Sequence, residues 1–221
     1  MMVRPFHIVV GALSLMAAAC SDHDNVVQVA NTATVVLVND TDTPIALTAD
    51  VSALDSASAT LNFGQASACA SVDLSNAVPR LAVRNVLTGA SLTVEPPLSA
   101  GSNLTIIAFD DRTGTLRLAT LDNHFTPLET DAGFRFFNGV PSIGAIFAER
   151  RGTLTSFVGL GEASPFVSVS TDSASILFSN RSAIVLDASV VAFPHGRNST
   201  LVVGPPAVGI TPLRFFIVQA C

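Results

Sequence analysis

The chain of 221 residues has no tryptophan, no tyrosine and no lysine, and only three cysteines. Tryptophan and tyrosine are the usual anchors of recognition surfaces, so the ordinary aromatic platform for a sugar or a peptide is missing. Every basic side chain is an arginine, and 11 of them face 17 acids for a net charge of −6. Nucleic-acid binding draws its affinity from basic clusters that neutralise phosphates, and no such cluster exists; nucleic acid is excluded as a partner. The longest charged run with basic residues, Glu149-Arg150-Arg151, reads as a solvated turn. Phosphate-loop, CxxC and zinc-ligand spacings are absent, so neither metal nor cofactor is expected. Apolar residues make up 49% of the chain, enough to bury a sizeable core. After residue 19 the long uncharged runs are broken by proline and glycine, as in GPPAVGITP, which leaves no candidate for a membrane-spanning helix.

The N-terminus carries the clearest local signal. MMVRPFH holds one cation, Arg4, and no acid precedes Asp22. The apolar stretch Ile8–Ala19 is 12 residues, short of the ~20 that cross a bilayer as a helix. Small residues then lead directly into Cys20. A positive start, a short apolar run and small residues make a secretory signal. With Ala18-Ala19-Cys20 at its end, this one resembles the bacterial lipoprotein signal, with Ala17 where leucine is usual. The resemblance implies cleavage of residues 1–19, a diacylglyceryl thioether on Cys20, and a lipidated tether over residues 20–31. Ser21 rather than an aspartate after the cysteine points, by the same resemblance, to the outer membrane. A plain secretory signal cut after Ala19 is the alternative, and a permanent signal-anchor ranks behind it.

Internal repetition organises the rest. FGQASACASV at 63–72 lines up with LGEASPFVSV at 160–169, and GSNLTII at 101–107 with GRNSTLV at 196–202. TLRL at 115–118 matches PLRF at 212–215, and VLVND at 36–40 matches RFFNG at 135–139. The offset stays near ~97 residues throughout, so the chain reads as two copies at residues 32–130 and 132–221. Within a copy, short β-branched runs such as TATVVLV, LAVRNV, LTIIAF and LRLATL alternate with DTDTP, EPPLSAG and DDRTG. About seven short strands per copy, with no sustained helical period, predict an all-β fold of two tandem antiparallel β-sandwich domains. Gly101 and Gly196 are expected in tight turns, and Asn39 and Asn138 as caps ending the first strand of each copy.

These motifs resemble the bacterial envelope repeat known as domain-of-unknown-function family four-three-nine-seven. The residues that carry the likeness are Asn39 and Asn138, the F-G-x-x-S stretch and the G-x-N-x-T strand; the tyrosine usual in that strand is absent. The resemblance implies an Ig-like or transthyretin-like sandwich in an exported protein, and it supplies no catalytic residue.

Chemistry is sparse. Ser67 and Ser164 lie in G-Q-A-S and G-E-A-S without the second glycine of a nucleophile elbow, and their repetition fits a structural role. His195 with Asp187 could be drawn as a triad on paper, but no spacing supports it. His124 is the remaining histidine beyond the signal and the tether, and in the tether Asp22, His23 and Asp24 read as a polar spacer. Asp40/Asp42 and Asp110/Asp111 read as solvated turns rather than a Ca²⁺ loop. The N-x-T triplets at Asn39, Asn103 and Asn198 would be glycosylated only on a eukaryotic secretory route. No catalytic residue is assigned.

Cys69 and Cys221 remain once Cys20 is acylated. An exported chain matures in an oxidising compartment, so these two are expected to pair; buried free thiols, or an intermolecular bond through Cys221, are the alternatives. The expected protein is a lipid-anchored, non-catalytic envelope module with a membrane partner through its lipid and an envelope protein as a further partner. A small-ligand carrier or a β-sandwich hydrolase are the competing classes.

Overall fold

The computed structural model describes residues 31–49, 60–75, 80–180, 183–206 and 213–221. Cys20, His23 and the rest of the signal and tether lie outside the described residues. Sixteen strands and no helix are found among the described residues. The first eight are β1 (Thr32–Asn39), β2 (Ile45–Ala49), β3 (Thr60–Leu61), β4 (Ala70–Asp73), β5 (Leu81–Asn85), β6 (Ser91–Val94), β7 (Asn103–Asp110) and β8 (Leu116–Asp122). The second eight are β9 (Asp131–Asn138), β10 (Phe147–Arg150), β11 (Thr153–Leu154), β12 (Val167–Ser170), β13 (Ala174–Ser179), β14 (Ile184–Val191), β15 (Asn198–Gly204) and β16 (Arg214–Gln219).

The strands form four sheets of four, β3-β2-β5-β6, β4-β1-β7-β8, β12-β9-β15-β16 and β11-β10-β13-β14. Adding eight to each strand number of the first half yields the second half, so both halves share one strand order. The pairing also repeats: Val35 faces Leu104 where Phe134 faces Ser199, and Phe109 faces Arg117 where Gly204 faces Arg214. The ladders are antiparallel except β1–β7 and β9–β15, which run parallel at the middle of the second and third sheets. A wholly antiparallel arrangement was expected. The parallel pairs arise because the opening strand of each half lies beside its seventh rather than its second.

Three apolar clusters separate the four sheets. Val35, Leu37, Ile106 and Ala108 pack on Ile45, Leu81 and Val83. Phe134, Phe136, Leu201 and Val203 pack on Ile146, Ile176 and Phe178. The third cluster lies between the halves, where Val36, Val38, Ile107 and Phe109 meet Phe137, Val202 and Val218. The two inner sheets are therefore covered on both faces, and their central strands read as continuous apolar runs, as strands buried on both faces do. β1 is buried from Val35 to Asn39 and β9 from Ala132 to Asn138. On β8 Leu116 is buried, Arg117 is exposed and Leu118 is partly buried against the first cluster.

The turn residues fall as expected too. Gly101 and Gly196 have φ of 80° and 65°, values that glycine adopts without steric cost. Asn39 Oδ1 accepts from the Thr41 N–H at 2.8 Å, and its amide donates to the carbonyls of Thr43 and Leu61. Asn138 repeats the arrangement with Val140, Gly144 and Val158.

Candidate functional site

Several of the buried polar side chains, among them Asp40, Thr105, Asn123, Arg135 and Thr200, gather along the seam between the halves. Each end of the seam has its own chemistry.

At the first end, Arg135 of β9 stands at the position that Val36 occupies on β1, pointing across the seam. It is 5% exposed. Its Nε donates to Thr200 Oγ1 at 2.9 Å, Nη1 to the Asp122 carbonyl at 2.6 Å and Nη2 to Asn123 Oδ1 at 2.6 Å. The guanidinium also lies 4.3 Å from the Phe166 ring centre. Burial pushes its pKa down to about 10, with the Asp122 carboxylate opposing. Asn123 in turn accepts from the Thr105 hydroxyl and donates to Asn103 Oδ1, while Asn198 donates to the carbonyls of Asn123 and Phe125. The halves are thus stitched by N–H groups of the second half aimed at oxygens of the first.

Two clasps close the same end. Phe125, after β8, stacks on Phe166, before β12, with centroids 5.2 Å apart. Cys221, after β16, bonds to Cys69, before β4, with their Cα atoms 5.9 Å apart. The two contacts occupy equivalent places in the repeated topology, one aromatic and one covalent.

At the other end lies Asp40, 1% exposed, with neither carboxyl oxygen bonded to a partner among the described residues. Its oxygens press on two glycines of the second half. A Cβ on Gly139 would overlap Oδ2, and one on Gly204 would overlap Oδ1 and come within 2.7 Å of Phe63. Burial raises the Asp40 pKa well above the carboxylate range; Arg214 opposes this, and Asp42 and Asp110 reinforce it. Arg214 is committed elsewhere, donating to the Pro205 carbonyl and pairing with Asp42 while it covers the Phe63 ring. The reading of Asp40 as a solvated turn residue is corrected. The turn itself is polar, but the second half covers it.

Glu149-Arg150-Arg151 needs a similar correction. Arg150 is 2% exposed, donates to the carbonyls of Ser170 and Asp172, and lies against Phe193. Arg151 is exposed and has a positive φ of 48°. Asp111 is the solvated turn that was expected, accepting from the N–H groups of Thr113 and Thr115 and from Arg117.

Ser67 and Ser164 serve the ladders. Ser67 Oγ accepts from the Leu37 N–H at 2.9 Å and Ser164 Oγ from the Phe136 N–H at 3.1 Å, and each hydroxyl donates to the next carbonyl. His195 bonds to the Glu129 carbonyl, while Asp187 is exposed on β14 opposite Leu177. A cleft of about 530 Å³ is lined by Ser99, Ser102, Leu104, Asp122 and His124. In it His124 Nδ1 lies 2.6 Å from Asp122 Oδ1, and the two serine hydroxyls are 2.9 Å apart.

Sequence reasoning missed Arg135, Asn123 and Asp40 as seam residues. The available signal was an arginine inside the apolar strand FRFFN, and an Asn-Asp against an Asn-Gly in the aligned copies. No family model matches the sequence and no curated protein matches it, so the likeness to the envelope repeat rests on the motifs alone.

Proposed function

We propose that the chain is a lipid-anchored cell-envelope protein whose residues 32–130 and 132–221 are tandem Ig-like sandwich domains, acting as a non-catalytic structural or interaction module. The observation that carries this reading is the seam. Arg135, Asn123, Asn198 and the Cys69–Cys221 bond all go into holding the two halves together. Side chains that could have lined a reaction centre are spent instead on one cohesive body. Cys20, eleven residues before the first described residue, would carry diacylglycerol and hold that body at the membrane, the outer membrane by the sorting resemblance. A two- or three-chain lipid group anchors stably where one acyl chain binds only reversibly. The partners of such a module are the bilayer, through the lipid, and a further envelope protein.

Expression in a bacterium tests the reading. The wild-type chain should partition into the detergent phase, and Cys20→Ser should accumulate as uncleaved precursor. Normal maturation of Cys20→Ser to a water-soluble protein would overturn it.

A second reading, an envelope hydrolase, draws on the Asp122–His124 pair beside Ser99 and Ser102. Against it, the imidazole and carboxylate side chains are 61% and 67% exposed, and the serine hydroxyls bond to each other. Ester hydrolysis that is abolished by His124→Ala would decide for it.

A further inference from the structure

We propose that the Asp40 end of the seam is a proton-controlled joint: the inner sheets close around a neutral carboxylic acid, and its ionisation opens that end while the Arg135 end holds. A carboxylate needs several donors to replace the water it loses on burial. Around Asp40 the neighbouring donors are mostly aimed at other acceptors, and none among the described residues reaches its oxygens. The Asn39 amide donates to Thr43 and Leu61, and the Thr41 N–H and hydroxyl donate to Asn39. The Gly139 N–H donates to the Val203 carbonyl at 2.8 Å. Arg214 donates through Nε to Pro205 and through Nη2 to Asp42.

The surrounding charge has the same effect. Asp42 faces Asp40 from its own loop, Asp110 from the end of β7 and Arg214 from β16. The ends of β9 and β15 bring Gly139 and Gly204, and the turn after β3 brings Phe63, none of them charged. Three carboxyl groups therefore share one guanidinium, and Asp110 is itself raised by burial and by its acidic neighbours. The neutral acid is the form that fits a contact packed against glycine backbone with no room for a Cβ. The second half has Gly139 at the equivalent position, so this end of the seam holds one such acid against glycine rather than a symmetric pair. At the other end Arg135, the Phe125–Phe166 stack and the disulfide keep the halves attached when the joint opens.

The sign follows from linkage. Asp40 holds its proton more tightly closed than open, so the closed joint is favoured in acid and loses ground as pH rises. Between the ordinary carboxylate range and the raised pKa of the closed form, the opening constant grows tenfold per pH unit, and above that it levels off.

Amide hydrogen exchange on the full chain, followed against pH and normalised for intrinsic rates, tests this. In wild type the protection of the Gly139 and Asp40 N–H groups, bonded to Val203 and Ala108, should fall tenfold per pH unit over that window. Protection of Asn123 and Gly133, at the other end, should stay constant. In Asp40→Asn the Gly139 protection should not change with pH. The same slope in Asp40→Asn, or equal loss at both ends, would overturn the proposal. Should the variant fail to fold, the ¹³C carboxyl titration of wild-type Asp40 decides. A raised midpoint tracking loss of Gly139 protection supports the joint, and an ordinary midpoint without that loss refutes it.

Discussion

Arg135 illustrates how a single side chain can be both costly and necessary. A guanidinium in the place of Val36 loses its hydration, which is why its pKa falls to about 10, and the loss is offset only because three donor groups and one aromatic face are all engaged. Removing the cation leaves the Asp122 carbonyl and Asn123 Oδ1 buried with fewer donors. Arg135→Met, similar in length but without donors, should therefore destabilise the chain by about 3 kcal/mol, read as a lower urea midpoint with an unchanged m-value. Gly139 gives a sharper contrast. A Cβ there would strike Asp40, whereas Gly144 has nothing within 4 Å of a Cβ. Gly139→Ala should cost about 3 kcal/mol by overpacking, and Gly144→Ala should change stability by less than about 0.5 kcal/mol. Adding Asp40→Gly to Gly139→Ala should recover most of the loss. If it does not, the Gly139 contact is not with Asp40.

At the level of elements, β1 and β9 are the spines of the two halves, and each is held on its outer edge by a serine hydroxyl as well as by a ladder. Ser164 is 4% exposed, so Ser164→Ala strands the Phe136 N–H in the interior and should cost about 1.5 kcal/mol. Ser67 is more open, water can replace its hydroxyl, and Ser67→Ala should cost about 0.5 kcal/mol. Matched denaturation curves of the two variants check the difference. Strands such as TATVVLV and LTIIAF were legible because β-branched runs between turn residues carry a local signal, and the repeat offsets aligned Arg117 with Arg214 as the ladders do. The Asn39 and Asn138 caps were legible for the same reason, being bonds within a few residues. Asp40 and Arg150 were not. The stretches DTDTP and ERRG are polar turns by composition, and whether a turn meets water depends on surface brought in from elsewhere in the chain, Gly139 and Gly204 for Asp40 and Ser170, Asp172 and Phe193 for Arg150. The seam was hidden likewise, since a strand covered on both faces looks like one covered on a single face with apolar residues to spare.

For the whole molecule, two titration effects of opposite sign should shape stability. Asp73, Asp111, Asp122 and Asp172 sit below the ordinary carboxylate range, each held chiefly by hydroxyl or N–H donors of Ser75, Thr113, His124 and Ser170. Their contribution is present above that range and lost as pH falls through it, opposite to Asp40. Unfolding of Asp40→Asn in acid should show their effect with only Asp110 still opposing it, as a steeper loss than in wild type. The disulfide acts at this scale too, because it ties the last residue of the chain to the first half across a sequence separation of 152. Cross-linking so long a loop removes entropy from the unfolded chain worth about 5 kcal/mol in the chain-entropy model, less any strain. It also pins β16, an edge strand whose Phe216 and Val218 face the seam while Phe215 and Ile217 stay partly exposed. Cys69→Ser with Cys221→Ser should therefore lower stability by several kcal/mol and let the C-terminal residues fray first. The Ala220 N–H, bonded to the Asn198 carbonyl at 2.9 Å, should lose its exchange protection ahead of Phe136. Mass spectrometry of unreduced, alkylated wild-type protein should find neither cysteine modified. Two alkylated thiols would show that the halves are joined by non-covalent contacts alone.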